Sequence, residues 1–163
     1  MSAQMKYGYF TPIGQPGGIY DLAPYEVNSF FNEAEDGEVK FGMGVVSGTK
    51  AGIEAKVGDG VFEGIVTNRR TNENGLRGGV TLFHGCTLGV MRWGRIYGLL
   101  ASNGSDYVEV AANDKVYMVT SGDDAGCFTN VATGNKEIAA KFCGVGADGI
   151  ALIELFNQAQ PTA

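Results

Sequence analysis

Short apolar runs alternate along the chain with polar, glycine-bounded breaks, and that rhythm predicts strands. Met43–Val46 ends at Ser47-Gly48, Ile53, Ala55 and Val57 occupy alternate positions, and Gly58-Asp59-Gly60 turns into Val61–Val66. Val80–His84, Thr87–Arg92, Tyr107–Val110, Lys115–Val119, Cys127–Val131, Ile138–Val145 and Ile150–Phe156 continue the series. Period-two alternation between turn residues, over roughly ten strands, belongs to an all-β sandwich or barrel. Only Asn113 and its neighbours, or Lys136–Lys141, suit a helical turn, and no amphipathic helix of ordinary length is visible.

The densest apolar stretch is LGVMRWGRIYGLL, residues 88–100. It predicts a hairpin in which Trp93-Gly94 turns between Val90-Met91-Arg92 and Arg95-Ile96-Tyr97, because glycine supplies the positive φ that a tight turn needs. Val90, Ile96 and Leu99 are expected to face inward. A fainter pattern repeats: Phe62-Glu63-Gly64-Ile65 echoes Phe142-Cys143-Gly144-Val145, and FGMGVVSG at 41–48 echoes KVYMVTSG at 115–122. Two related β-units are one reading of that echo.

Residues 1–40 break the rhythm. Pro12, Pro16 and Pro24 remove backbone donors and favour extended conformations, while Tyr7, Tyr9, Phe10, Tyr20, Tyr25, Phe30 and Phe31 crowd the same stretch. A free linker would carry small polar residues instead of tyrosine and phenylalanine. The segment therefore reads as an extended arm with aromatic anchors, lying along its own domain or a neighbour's. The expected organisation is an arm over 1–40, one β-domain over 41–157 and a tail over 158–163.

Composition narrows the function. Twenty-six glycines without a collagen period fit a chain of many turns. A net charge of −6 opposes the phosphate electrostatics of nucleic-acid binding, and no apolar stretch is long enough for a membrane helix. All five arginines (Arg69, Arg70, Arg77, Arg92 and Arg95) fall in one stretch, whereas Glu33, Glu35, Asp36 and Glu38 make another stretch acidic. Such patches can set orientation between neighbouring copies, or be two unrelated solvated faces. Arg92 and Arg95 are each expected to contribute less than about 1 kcal/mol as exposed charges. Cys86, Cys127 and Cys143 are odd in number and widely spaced, which predicts reduced, buried thiols. The start MSAQMKYGYF lacks a signal-peptide pattern, so synthesis in a cytoplasm is expected.

Candidate chemistry is sparse. The single histidine, His84, has no second group to make it a general base, and His84-Gly85-Cys86 has no second ligand pair for zinc. Asp123-Asp124 lacks the ligand spacing of a calcium loop and reads as a hairpin turn. Neither a nucleophile elbow nor a phosphate-binding glycine loop is present. The expectation is a protein without catalysis, metal or cofactor.

Four stretches resemble the structural cement, or capsid decoration, proteins of tailed bacteriophages. GQPGGIYD at 14–21 leads through acidic residues into FGMGVV at 41–46, and VMRWGRIY at 90–97 is similar to the family's V-x-R-x-G-R stretch. AANDKVY at 111–117 is like an A-x-G-D-x-V-Y segment, and GADGIALIEL at 146–155 is similar to the family's closing strand. Two departures are Asn113, where a glycine is usual, and a longer arginine segment at 67–79.

The resemblance implies a non-enzymatic virion protein on the outer capsid surface, stabilising a lattice of major capsid protein as a trimer or dimer. Its expected contacts are the arm aromatics (Tyr7, Tyr9, Phe10, Tyr20, Tyr25, Phe30, Phe31) and the arginines (Arg69, Arg70, Arg77, Arg92, Arg95). A carbohydrate-binding β-sandwich, another minor virion surface protein or a small hydrolase are the competing classes. The first would expose a planar set of aromatics, and the last would need convergent carboxylates.

Overall fold

A computed structural model describes residues 14–68 and 80–157. They form eleven strands and, among the described residues, no helix. The strands are β1 (Glu26–Asn32), β2 (Gly44–Ser47), β3 (Glu54–Lys56), β4 (Phe62–Val66), β5 (Thr87–Leu99) and β6 (Ser102–Asn103). They continue as β7 (Asp106–Tyr107), β8 (Lys115–Met118), β9 (Phe128–Thr129), β10 (Lys136–Phe142) and β11 (Ile150–Leu155).

The order β1-β3-β2-β4-β5, closed by direct pairing of β1 with β5, makes a five-stranded barrel. Between the two architectures the sequence allowed, the barrel is the one formed. Five strands also make the second sheet, β5-β11-β10-β8-β9. This sheet curls back to its start through a parallel bridge from Phe128 to Leu100, next to the end of β5. Strand β5 is common to both.

The two halves are copies of one design. Asn32 N–H bonds Cys86 C=O at 2.9 Å, and Leu100 N–H bonds Gly149 C=O at 2.8 Å. Glu33 N–H to Ala55 matches Ala101 N–H to Phe128, and Gly42 N–H to Val66 matches Asn113 N–H to Phe142. Thr67 N–H to Gly89 likewise matches Cys143 N–H to Leu152. Gly42 (φ 82°) and Asn113 (φ 70°) therefore hold equivalent left-handed positions, which asparagine tolerates better than most side chains. The sequence echo lay in corresponding strands but in a shifted register. Val66, not Phe62, corresponds to Phe142.

Several expected elements changed. Trp93-Gly94 does not turn a hairpin, because β5 runs unbroken through it. Glu26 pairs with Trp93 and Val27 with Met91, so Arg92 is the extra residue of a bulge. Met91 and Ile96 both reach the same buried cluster although the two positions would face opposite sides of a regular strand. The extra residue of the bulge accounts for that shift of face, and Gly94 (φ 123°) lies just beyond it. Val80–His84 forms no strand, and of the expected Tyr107–Val110 strand only Tyr107 is in one, as the end of β7.

Of the arm, residues 26–32 are a strand of the barrel, and the chain before them continues along β5. Ile19 bridges Ile96, Gly17 N–H bonds Tyr97 C=O at 2.8 Å, and Tyr97 N–H bonds Gly18 C=O at 3.1 Å. The described part of the arm thus packs on its own chain.

One core fills the first barrel with Phe30, Val39, Val45, Val66, Leu88 and Val90, and the largest lies in the second half around Phe128, Phe142, Ile138 and Ile153. Val90 and Ile96 face inward as expected, whereas Leu99 is half-buried at the edge of a smaller cluster. Cys127 is buried in that small cluster with Met43 and Ala101. Its thiol is pushed up to about 11, first by burial and then by the Asp124 carboxylate. Burial also raises Cys86 and Cys143. Cys86 and Cys143 are half-buried and Cys127 is buried, so at about pH 8 Cys127 should react slowest with an aromatic disulfide reagent and be fully labelled only on denaturation. Rapid labelling of Cys127 in the folded state would contradict this burial.

Candidate interaction surface

The bulge in β5 organises the surface around it. Leu88–Met91 and Ile96 are buried, but Arg92, Trp93, Gly94 and Arg95 between them are not. Here β5 leaves its pairing with β4 and takes up pairing with β11, so neither sheet covers it fully. Trp93 is exposed, opposite Glu26 and one residue from Tyr25. A Cβ at Gly94 would lie 2.7 Å from the Tyr25 Cβ, so glycine lets Tyr25 lie against the strand. Leu22 in the preceding bend is 98% exposed. Phe156, also exposed, follows Leu155, the partner of Gly94. The Tyr20 ring stands edge-on to Tyr97 at 6.0 Å.

Charged pairs rim these apolar side chains. Arg95 reaches Asp21 at 3.4 Å and Glu154 at 3.9 Å, and Lys141 reaches Glu154 at 3.6 Å. Arg92 lies 3.9 Å from Glu63, a nearly buried carboxylate that also accepts a hydrogen bond from Ser47 Oγ. Both arginines are thus paired within the chain. Exposed aromatic and aliphatic side chains ringed by ion pairs are what protein contacts are built from: anchors of large area at low entropic cost, with charges that fix orientation.

The candidate contact residues separate accordingly. Tyr20, Tyr25, Arg92 and Arg95 converge on this waist between the two halves. Phe31 is exposed elsewhere, where its N–H bonds Ile53 C=O at 2.8 Å. Phe30 is corrected: at 4% exposure it is a core residue of the first barrel, because β1 turns alternate side chains inward. Tyr7, Tyr9, Phe10, Arg69, Arg70 and Arg77 lie outside the described residues. Leu22, Trp93 and Phe156 were not among the candidates, and only the bulge and the strand ends reveal them.

His84 sits in an exposed turn, its N–H bonded to Asp36 and its ring Nδ1 3.1 Å from the Glu33 carbonyl. Asp124 accepts from Ser102 N–H and Oγ in the turn between β8 and β9, a structural pin. Among the described residues no three His, Cys, Asp or Glu side chains gather as a metal site.

The sequence fits a family model described as "Structural cement protein (E217 gp24/Pam3 gp6)" over residues 3–156. The chain belongs to this structural cement family. A phage-capsid role and a non-enzymatic, structural character follow from that membership. Among solved structures, this cement protein is similar to a chain of "The capsid of Myoviridae Phage XM1". The two share 17% identity with a TM-score of 0.70, covering 98% of this chain and 100% of the other. At that identity the likeness concerns the fold alone. No curated protein sequence matches the chain.

Proposed function

We propose that this chain binds the outer surface of an assembled phage head and bridges major capsid protein subunits, acting as a trimer or dimer. Family membership over nearly the whole chain carries this reading. The aromatic waist and the arm leading to it form the contact with the shell, while the β-domain serves as a rigid spacer. An arm over 1–40 was expected; the contact-forming part is now assigned to the residues before β1, since β1 is built into the barrel. Binding only the assembled lattice stabilises it by linkage, and many copies multiply the gain. The protein is made in the host cytoplasm and resides on the virion exterior.

Add-back to heads that lack the protein tests this. Wild-type protein should decorate their outer surface in electron microscopy and raise their resistance to heating. A chain without residues 1–13 should stay folded and fail to load. Full occupancy by that truncation would remove the arm from the contact, and absence of decoration by the wild type would end the proposal.

A further inference from the structure

The duplication exposes one asymmetry between the halves. In the first, residues 80–86, the described stretch leading into β5, lie over the barrel end. Leu82 is only 4% exposed, packed in the core that contains Val39, and its carbonyl accepts Gly37 N–H at 3.0 Å. His84 then places its N–H on Asp36 Oδ1 at 2.7 Å. An aliphatic side chain followed by a residue anchored on a carboxylate plugs the opening.

Among the described residues the second half has no such plug. Its equivalent connection, from β10 to β11, is a short turn in which Val145 is 83% exposed. Val39 corresponds to Val110, by the matching bonds Met43 N–H to Lys40 C=O and Asp114 N–H to Ala111 C=O. Over Val110 lies a cavity of about 680 Å³ with Leu100 and Val108 in its lining. Asp106, Glu109, Asp114 and Asp148 also line it, and among the described residues no lysine, arginine or histidine does. Asp114 is tied to Asn130 Nδ2 and Ala111 N–H, which hold its carboxyl below the usual range and keep it charged. Glu109 and Asp148 carboxylates carry no ion pair among the described residues.

We propose that this open barrel end is a socket for residues 69–79 of a second copy, Leu76 entering the apolar floor and Arg77 meeting the carboxylate rim. The occupant is chosen by chemistry. An acidic socket with an aliphatic floor takes an extended segment carrying a large aliphatic residue beside a cation. RRTNENGLRGG supplies that pair and three of the chain's five arginines. Such a contact joins different surfaces of two copies, so it propagates around a ring that closes if the rotation allows. It deepens the cement reading by naming a copy-to-copy joint, yet it is measurable without heads, so its failure leaves shell binding untouched.

The receptor for the test is the full chain with Leu76→Ser and Arg77→Glu, whose own segment is disabled. A fluorescein-labelled peptide of residues 67–79 should bind it saturably, more weakly as salt rises. Glu109→Lys with Asp106→Lys, both exposed positions, should weaken binding by about tenfold or more with an unchanged circular dichroism spectrum. A peptide carrying the two segment substitutions should not bind. In sedimentation velocity the wild-type chain should self-associate and the Leu76→Ser/Arg77→Glu chain should not. An unbound peptide, or binding indifferent to rim reversal, overturns the socket. A wild-type chain that stays monomeric while the peptide binds the disabled receptor overturns the second copy as occupant.

Discussion

Phe128→Ala is expected to lower the stability of the folded chain by about 3–5 kcal/mol, the range for emptying a fully buried aromatic site. Phe128 is completely buried at the point where the second sheet curls back to β5. Its ring lies against Gly98 and Gly44, where an added Cβ would come 2.9 Å from a ring atom in each case. Those glycines let one large ring sit between β5 and β2 and tie the two halves together. Small side chains on both sides cannot move in to fill the space, so the cavity persists. Denaturant titration should show a lower midpoint. Loss below 1 kcal/mol would mean that the second core is far more plastic than its packing indicates.

Deleting residues 1–30 should abolish cooperative folding of the first barrel, in contrast to removal of 1–13. The deletion takes Glu26–Phe30, whose pairing with Trp93–Leu88 closes the ring, and with it the buried Phe30 ring. It also strips Ile19 from Ile96 and exposes one edge of β5 to other chains. A thermal melt followed by circular dichroism should lose its sharp transition, and the sample should aggregate. A truncated chain that melts like the full one would show that β1 is dispensable and that the whole stretch is a separable arm.

Much of the architecture was legible in the alternation of apolar residues. β2, β4, β8, β10 and β11 lie where period-two runs sit between glycines. The errors have physical causes. Tyr25 to Phe31 looked like part of an arm because prolines and aromatics precede it, yet Val27 and Phe30 find partners on β5, far along the chain. Gly94 looked like a turn residue, and its positive φ is real, but a bulge uses the same freedom without reversing the chain. Val80–His84 has strand composition and serves as a plug, since Leu82 was read as part of an alternation and not as a single inserted side chain.

The candidate surface was half visible. Tyr20, Tyr25, Arg92 and Arg95 were marked by residue type, but they are distant in sequence and only the antiparallel run of the chain along β5 assembles them. Both arginines turned out to be held by Glu63, Asp21 and Glu154 within the chain. The duplication itself hid in conserved geometry with little shared sequence, such as Gly42 and Asn113 at matching positions. Its open second end depends on one connection being long and the other short.

The shared strand also sets a timetable for synthesis. β1 is made early but pairs with β5, and the first ring cannot close until Thr87–Leu99 has left the ribosome. Until then Val27 and Phe30 wait unsheltered, with ring closure delayed by the entropy of a long intervening loop. Once β5 is in place, β11 adds to an edge that already exists. The second half is then templated by the first, and a stall before residue 87 leaves a chain with neither ring.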